Sequence, residues 1–286
     1  MGLFFSPHPA LRTCCSRPPL RLLPTLLAGS VARYWISLMR SLLLMPALLA
    51  VMATAHASSP NINVGAMYEY LEPGRSTLLK RVRNSGDATA FVRVEITEVV
   101  YDEDGRPREL PKQDEAAGHT VPSLVASPAR MIVPAQGQQA TRLLYQRSRE
   151  QERYYRLRFV PVQPKTADEF GLDETQAAAY RQQLSAGVKV LTGYGVFVIV
   201  HPAAARYQVR RETLADADVL HNDGNSTVIL QDLRQCTGSG TAEQCSPART
   251  IHLLPGSQRR FERLAGQHHR LEIVEGEQRR SIAFGL

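Results

Sequence analysis

The run Ala186-Gly-Val-Lys-Val-Leu-Thr-Gly-Tyr-Gly-Val-Phe-Val-Ile-Val-His-Pro202 constrains the fold most. It is rich in β-branched residues and carries a single charge, Lys189. Such side chains lose freedom in a helix and suit a pleated surface. The closing proline has no N–H for a further ladder bond. The run therefore predicts a long strand ending at Pro202. Such a strand has two uses. One is an ordinary central strand of a β-sandwich. The other is a strand that completes its own domain at one end and lends apolar side chains to a partner at the other.

The N-terminal part is set aside from the fold. From Met39 the chain has the parts of a secretory signal: Arg40 as the charged start, Ser41 to Met52 as a short apolar centre, and Ala55-His56-Ala57 as a small-x-small cleavage site. The centre is too short to span a bilayer comfortably. Met39 is the expected true start, and residues 1–57 are expected to be leader and signal peptide. Export and no stable membrane insertion after cleavage follow.

Removing the leader changes the charge. It holds five arginines and no acid, so residues 58–286 carry 29 basic and 27 acidic residues instead of the whole chain's net +7. No concentrated basic face is implied, which argues against nucleic-acid binding. Two cysteines remain, Cys236 and Cys245. In an exported chain an isolated close pair predicts a disulfide, contributing roughly 2.5–3 kcal/mol by loop closure. Zinc is the poorer alternative, because His252, His268 and His269 lie at no recognised ligand spacing. No cofactor is called for.

Residues 58–286 alternate strand and turn signals. Thr77–Arg83 ends at the turn Asn84-Ser-Gly-Asp87, and Phe91–Thr97 alternates Val92, Val94 and Ile96 with Arg93 and Glu95. Arg153–Phe159 puts Tyr155, Leu157 and Phe159 on one face and Arg156 and Arg158 on the other. Met131–Val133 and Thr141–Tyr145 flank a Pro-Ala-Gln-Gly turn. This spacing fits an antiparallel sandwich. Residues 164–185 read as one short helix in a mobile connection. After Pro202 the strand pattern restarts with Tyr207–Arg210, then Val219–Leu230 folded at an Asn222–Asn225 turn, then Arg249–Leu254, Leu271–Val274 and Ser281–Phe284. The expected fold class is all-β, with a first domain over 58–203 and a smaller β-sandwich over 204–286. The carboxylate pairs Asp102/Asp104 and Asp216/Asp218 read as solvated turns.

Ser127-Pro-Ala-Arg-Met-Ile-Val-Pro-Ala-Gln-Gly-Gln-Gln-Ala-Thr-Arg-Leu143, Tyr154-Tyr-Arg-Leu-Arg-Phe-Val-Pro161, the run to Pro202 and Asn222-Asp-Gly-Asn-Ser-Thr-Val228 follow one another in an order that resembles the periplasmic chaperones of the chaperone–usher pilus pathway. The cysteine pair is similar to that of the alternate branch serving alpha-class fimbriae. The resemblance implies two immunoglobulin-like domains set in a boomerang. It implies that the chaperone lends its last first-domain strand to a fimbrial (pilin) subunit lacking one, then passes the subunit to an outer-membrane usher from the periplasm. Val188, Val190 and Thr192 are the implied donor residues. The family's carboxylate-binding arginine and lysine fall at Met67 and Phe197, so Arg142, Arg158 and Lys189 are the candidate anchors. The family's interdomain arginine and glutamate fall at His201 and Phe159, which leaves that ion pair unsupported.

Two rival classes remain. An enzyme would need a nucleophile elbow, a metal-binding HExxH or a phosphate loop, and none is present. A secreted immunoglobulin-like fimbrial subunit or carbohydrate-binding adhesion module should lack its final strand, whereas here a long strand is followed by a second domain.

Overall fold

The structure, a computed structural model, describes residues 59–102, 104–110, 122–164, 166–185 and 191–285. Residues 57–286 form one compact unit. The expected leader and signal therefore lie outside the described residues, as do Val188, Lys189 and Val190.

The first part of the unit holds β1 (Ile62–Asn63), β2 (Tyr68–Leu71), β3 (Thr77–Asn84), β4 (Ala90–Tyr101), β5 (Pro107–Glu109), β6 (Leu124–Ser127), β7 (Arg130–Val133), β8 (Gln138–Tyr145), β9 (Arg153–Pro161) and β10 (Tyr194–Val200). They make two sheets, β1-β3-β8-β6 and β2-β10-β9-β4-β5, with β7 also on β4. Alternation decides which face is inside. On β9, Tyr155, Leu157 and Phe159 are 1 % exposed or less, and Arg156 and Arg158 point outward, as expected. They pack with Val82, Val92, Leu143, Val196, Val198 and Val200 in one core. Burying each such side chain contributes roughly 1.5–3 kcal/mol.

The second part holds β11 (Val209–Thr213), β12 (Ala217–Asn222), β13 (Val228–Thr237), β14 (Gln244–Cys245), β15 (Arg249–Leu253), β16 (Gln258–Glu262), β17 (Gln267–Glu275) and β18 (Gln278–Phe284). Its sheets are β11-β12-β16 and β14-β13-β17-β18, with β15 on β13. They enclose a separate core of Leu220, Leu230, Leu253, Phe261, Leu271, Ile273 and Phe284. Cys236 and Cys245 are joined by a disulfide across the β13–β14 pair.

One expectation is met and two are corrected. The short helix expected within residues 164–185 is α1 (Glu174–Ser185), seated on the first sandwich. Tyr180 is 7 % exposed and meets Phe91 edge-on at 4.4 Å, with Phe170 and Ile132 beside them. A buried aromatic pair of this kind holds the connection down. Asp218 is not in a solvated turn. It is fully buried on β12, bound by Arg211 at 2.7 Å and Arg263 at 2.8 Å, and Arg263 chiefly holds its carboxyl below the ordinary value. The strand after Pro202 starts at Val209, two residues later than the pattern suggested, because Tyr207 turns in to pack beside the second core.

Candidate functional site

Within the described residues the apolar run forms β10 from Tyr194, and its two edges differ. On one side β9 pairs with all of Tyr194–Val200. On the other, β2 pairs in parallel only from Phe197 to Val200. That contact begins where the Phe197 amide donates to the Met67 carbonyl at 2.7 Å. Over Tyr194–Val196 no described strand lies on the second side. An edge of this kind offers backbone donors and acceptors to another chain.

Exposure along β10 shows where its own core ends. Val200, Val198 and Val196 are at most 1 % exposed, Tyr194 is half-buried and Thr192 is exposed. In an extended chain these residues share one face. The same parity continues in sequence to Val190 and Val188. Gly193 has the Phe159 carbonyl 3.1 Å from where a Cβ would stand, a close approach that a bulkier residue would crowd.

β2 is held at its entry by Lys80, a buried ammonium on β3 that the sequence pattern did not single out. It donates to the Ala66 carbonyl at 2.6 Å and to Glu69 at 2.5 Å. Arg149 donates to the carbonyls of Glu72 (2.7 Å) and Arg75 at the other end.

The outward face of the β2-β10-β9-β4 sheet carries aromatic side chains. Tyr101 meets Tyr154 at 5.1 Å, Phe197 meets Tyr68 at 5.8 Å, and Tyr68 stacks on His252 of β15 at 3.9 Å. Met67 and Tyr68 remain 43 % and 45 % exposed. The Tyr70 hydroxyl meets His252 Nε2 at 2.5 Å, and burial pushes the His252 imidazole down to about 4. On the same face Arg156 and Arg158 converge on one carboxylate, Glu109. Arg156 donates to Oε1 at 2.7 Å, and Arg158 to Oε1 at 2.6 Å and Oε2 at 2.8 Å. The Arg158 hydrogen bond chiefly holds the Glu109 carboxyl below its ordinary value.

The two sandwiches are joined by a carboxylate that the sequence pattern missed. The family's glutamate position falls at Phe159, which left that ion pair unsupported, and Phe159 is indeed sealed in the first core. Glu152 serves instead. Its Oε2 accepts from His201 Nδ1 and the Thr227 amide, both at 2.7 Å, and its Oε1 accepts from Tyr154 at 2.6 Å and from the Thr227 hydroxyl. Glu152 and His201 are almost wholly buried, and Thr227 belongs to the second sandwich. A buried carboxylate so fully hydrogen-bonded holds its partners in fixed positions. Tyr207 packs edge-on against His201 at 5.8 Å, and burial raises its hydroxyl to about 12.

Of the other residues named from sequence, Arg142 is exposed on β8, in the sheet opposite β10. Arg158 lies on the strand beside β10, opposite Gly195. Arg142 and Arg158 are thus not brought together. Cys236, Cys245 and Glu243 cluster on β14 and its neighbours, and the two sulfurs are bonded to each other.

No protein-family model matches the chain. It is similar to the probable fimbrial chaperone EcpB of Escherichia coli O157:H7, with 25 % identity over 236 residues, 80 % of this chain and 95 % of that protein. The EcpB of E. coli K12 strain DH10B is 24 % identical over 235 residues, again 80 % of this chain. Among solved structures, the class 5 fimbriae chaperone CfaA aligns with a TM-score of 0.48 at 18 % identity, covering 78 % of this chain and 98 % of that one. The E. coli chaperone DraB aligns with a TM-score of 0.46 at 14 % identity, covering 80 % and 99 %.

Proposed function

We propose that this chain is a fimbrial chaperone that binds subunits in the periplasm by strand donation and hands them to an outer-membrane usher. The observation that carries this reading is the one-sided pairing of β10 at Tyr194–Val196 among the described strands, immediately after the apolar stretch that contains Val188 and Val190. Similarity over four fifths of the chain to probable fimbrial chaperones supports it.

A subunit that lacks one strand exposes core surface and unpaired backbone groups. The row Val188, Val190 and Thr192 continues the core-facing parity of Val196, so the face that fills the chain's own sandwich is extended to fill another. Each buried valine contributes roughly 1.5–2 kcal/mol, and ladder hydrogen bonds add to it. The work is done by binding alone, with no catalytic step and no cofactor. Residues 58–203 form the donating domain and 204–286 the second domain. Residues 39–57 direct export.

The test is subunit capture in periplasmic extracts. Val188→Asp with Val190→Asp is expected to keep the circular-dichroism spectrum and melting midpoint of the parent while copurified fimbrial subunits disappear. Undiminished capture by the folded double variant rejects the donor assignment.

A further inference from the structure

β1 and β2 are consecutive strands on different sheets. β1 pairs with β3 through Ile62 and Asn63, and β2 pairs with β10 from Tyr68 onward. The chain therefore crosses from one sheet to the other over residues 64–67. Val64 fills the first core, and Gly65 turns the chain at a φ of 70°, its amide donating to Asn63 Oδ1 at 2.7 Å. Where this crossing ends decides how much of β10 is covered by β2.

A cation holds each end of β2. Arg149 binds the carbonyl of Glu72 at the far end. At the near end Lys80, with a side chain 3 % exposed, reaches across from β3 to the Ala66 carbonyl at 2.6 Å and to Glu69 at 2.5 Å. These two contacts bracket Met67. Met67 itself is 43 % exposed, so packing alone does not place it. Its carbonyl accepts from the Phe197 amide at 2.7 Å, the first link between β10 and β2. A buried ammonium is costly without acceptors, so the groups that satisfy it are fixed in turn. The side-chain pattern of β2 is a poor substitute. Tyr68 and Tyr70 present the same side chain on one face, so a shift of two residues, about 6–7 Å, would leave that face alike. It would carry Glu69 out of reach of Lys80.

The backbone of β10 shows what this fixes. The Phe197 and His201 amides donate to Met67 and Leu71 of β2. Successive amides alternate sides along a strand, so Gly195 turns its amide to the same side as Phe197, and Val196 and Val198 turn theirs toward β9. Gly195 lies in the part of β10 where, among the described strands, β9 alone pairs.

Building on the strand-donation reading, we propose that Lys80 is a positioning residue for donation. It fixes the point at which the chain's own β2 stops covering β10, and with it the number of β10 backbone groups that a guest strand can take. Lys80 acts through Ala66 and Glu69 and does not touch the guest. A guest is admitted as far as Gly195 and kept off Phe197.

The test is residue-resolved amide hydrogen exchange, read by NMR with and without an acetylated, amidated peptide of alternating valine and threonine with a lysine at each end. In the parent the Phe197 amide should exchange slowly, and within Tyr194–Val200 the peptide should newly protect Gly195 alone. Lys80→Met keeps the length of the side chain and removes its charge. Exchange at Phe197 should rise about tenfold, while Val196 and Val198 keep the parent's rates. The peptide should then protect Gly195 and Phe197 together. Glu69→Ala keeps the Ala66 contact and should give a smaller rise at Phe197; it carries the test if Lys80→Met does not fold. An equal rise at Val196, Phe197 and Val198 would mark general loosening and overturn the proposal. So would a Phe197 amide that stays protected in the folded variants, or one that is freed but left unprotected when the peptide covers Gly195. In each of those cases protection of Gly195 leaves strand donation standing. No protection of Gly195 in the parent overturns both.

Discussion

The two sandwiches turn the same corner on the same asparagine and glycine. In the first, Asn84-Ser-Gly-Asp87 leaves β3; in the second, Asn222-Asp-Gly-Asn225 leaves β12. Each asparagine is fully buried, and its Oδ1 accepts from the amide of the glycine two residues on at 3.0 Å. Each amide group donates to the carbonyl four residues on, 2.7 Å to Ala88 and 2.9 Å to Ser226, and to a facing strand, Val133 or Leu253. A Cβ on either glycine would meet backbone at 2.2 or 2.3 Å, so only glycine fits. The fourth residue then caps the chain beside it, Asp87 taking the Ser59 amide and Asn225 the Arg206 amide. Around this shared corner the sandwiches diverge. The second carries a disulfide across one edge and a buried aspartate between two arginines. In the first, among the described strands, β9 alone pairs with Tyr194–Val196 of β10. On the strand-donation proposal, a common frame carries two assignments, one domain braced and one left receptive.

The comparison is broken most directly at the corners. Asn84→Ala and Asn222→Ala each strip hydrogen bonds from buried carbonyls, and each should cost about 2–4 kcal/mol in urea unfolding. Costs differing by more than about 2 kcal/mol would show that the corners do not do equal work. Next, Cys236→Ala with Cys245→Ala should destabilise the chain by roughly 2.5–3 kcal/mol while leaving subunit capture by the folded protein unchanged. Reduced capture would join the braced region to the receptive one. Asp218→Asn should cost about 1–2 kcal/mol, since its arginine partners are partly exposed and remain hydrated.

A further test is the pH response of His252. Its folded-state imidazole is depressed to about 4 from an ordinary 6.5. The unfolded chain therefore binds more protons between these values. The stability that the neutral ring contributes is complete above about pH 6.5 and is lost as the pH falls toward 4. The expected signature is a shallow fall in melting midpoint over that window, absent in His252→Gln. An identical slope in the variant would remove His252 from the contact with Tyr68 and Tyr70.

Much of this was legible in the chain. The two-residue alternation of Tyr155, Leu157 and Phe159 fixed the inward face of β9, and Asn222–Asn225 announced its turn, because both are local patterns. Glu152 was not legible: it binds His201 49 residues away and Thr227 75 residues away. No periodicity encodes such a meeting. Asp218 was missed because a charged residue next to a turn ordinarily faces water, and only the fold brings Arg263 to it from 45 residues off. The short strands β1, β2, β5 and β14 carry too few residues to show an alternation. The corner's recurrence was also hidden, since Asn-Ser-Gly-Asp and Asn-Asp-Gly-Asn share just two letters in register.

β2 runs parallel to β10, whereas the other described strand pairs are antiparallel, and it begins to cover β10 at Phe197. An incoming segment sliding along the open portion would meet Met67 as a backstop. On the strand-donation proposal, this makes a ruler: how far a visitor can advance is set by where a four-residue strand begins, and lengthening that strand by one pair would shorten the berth by the same amount.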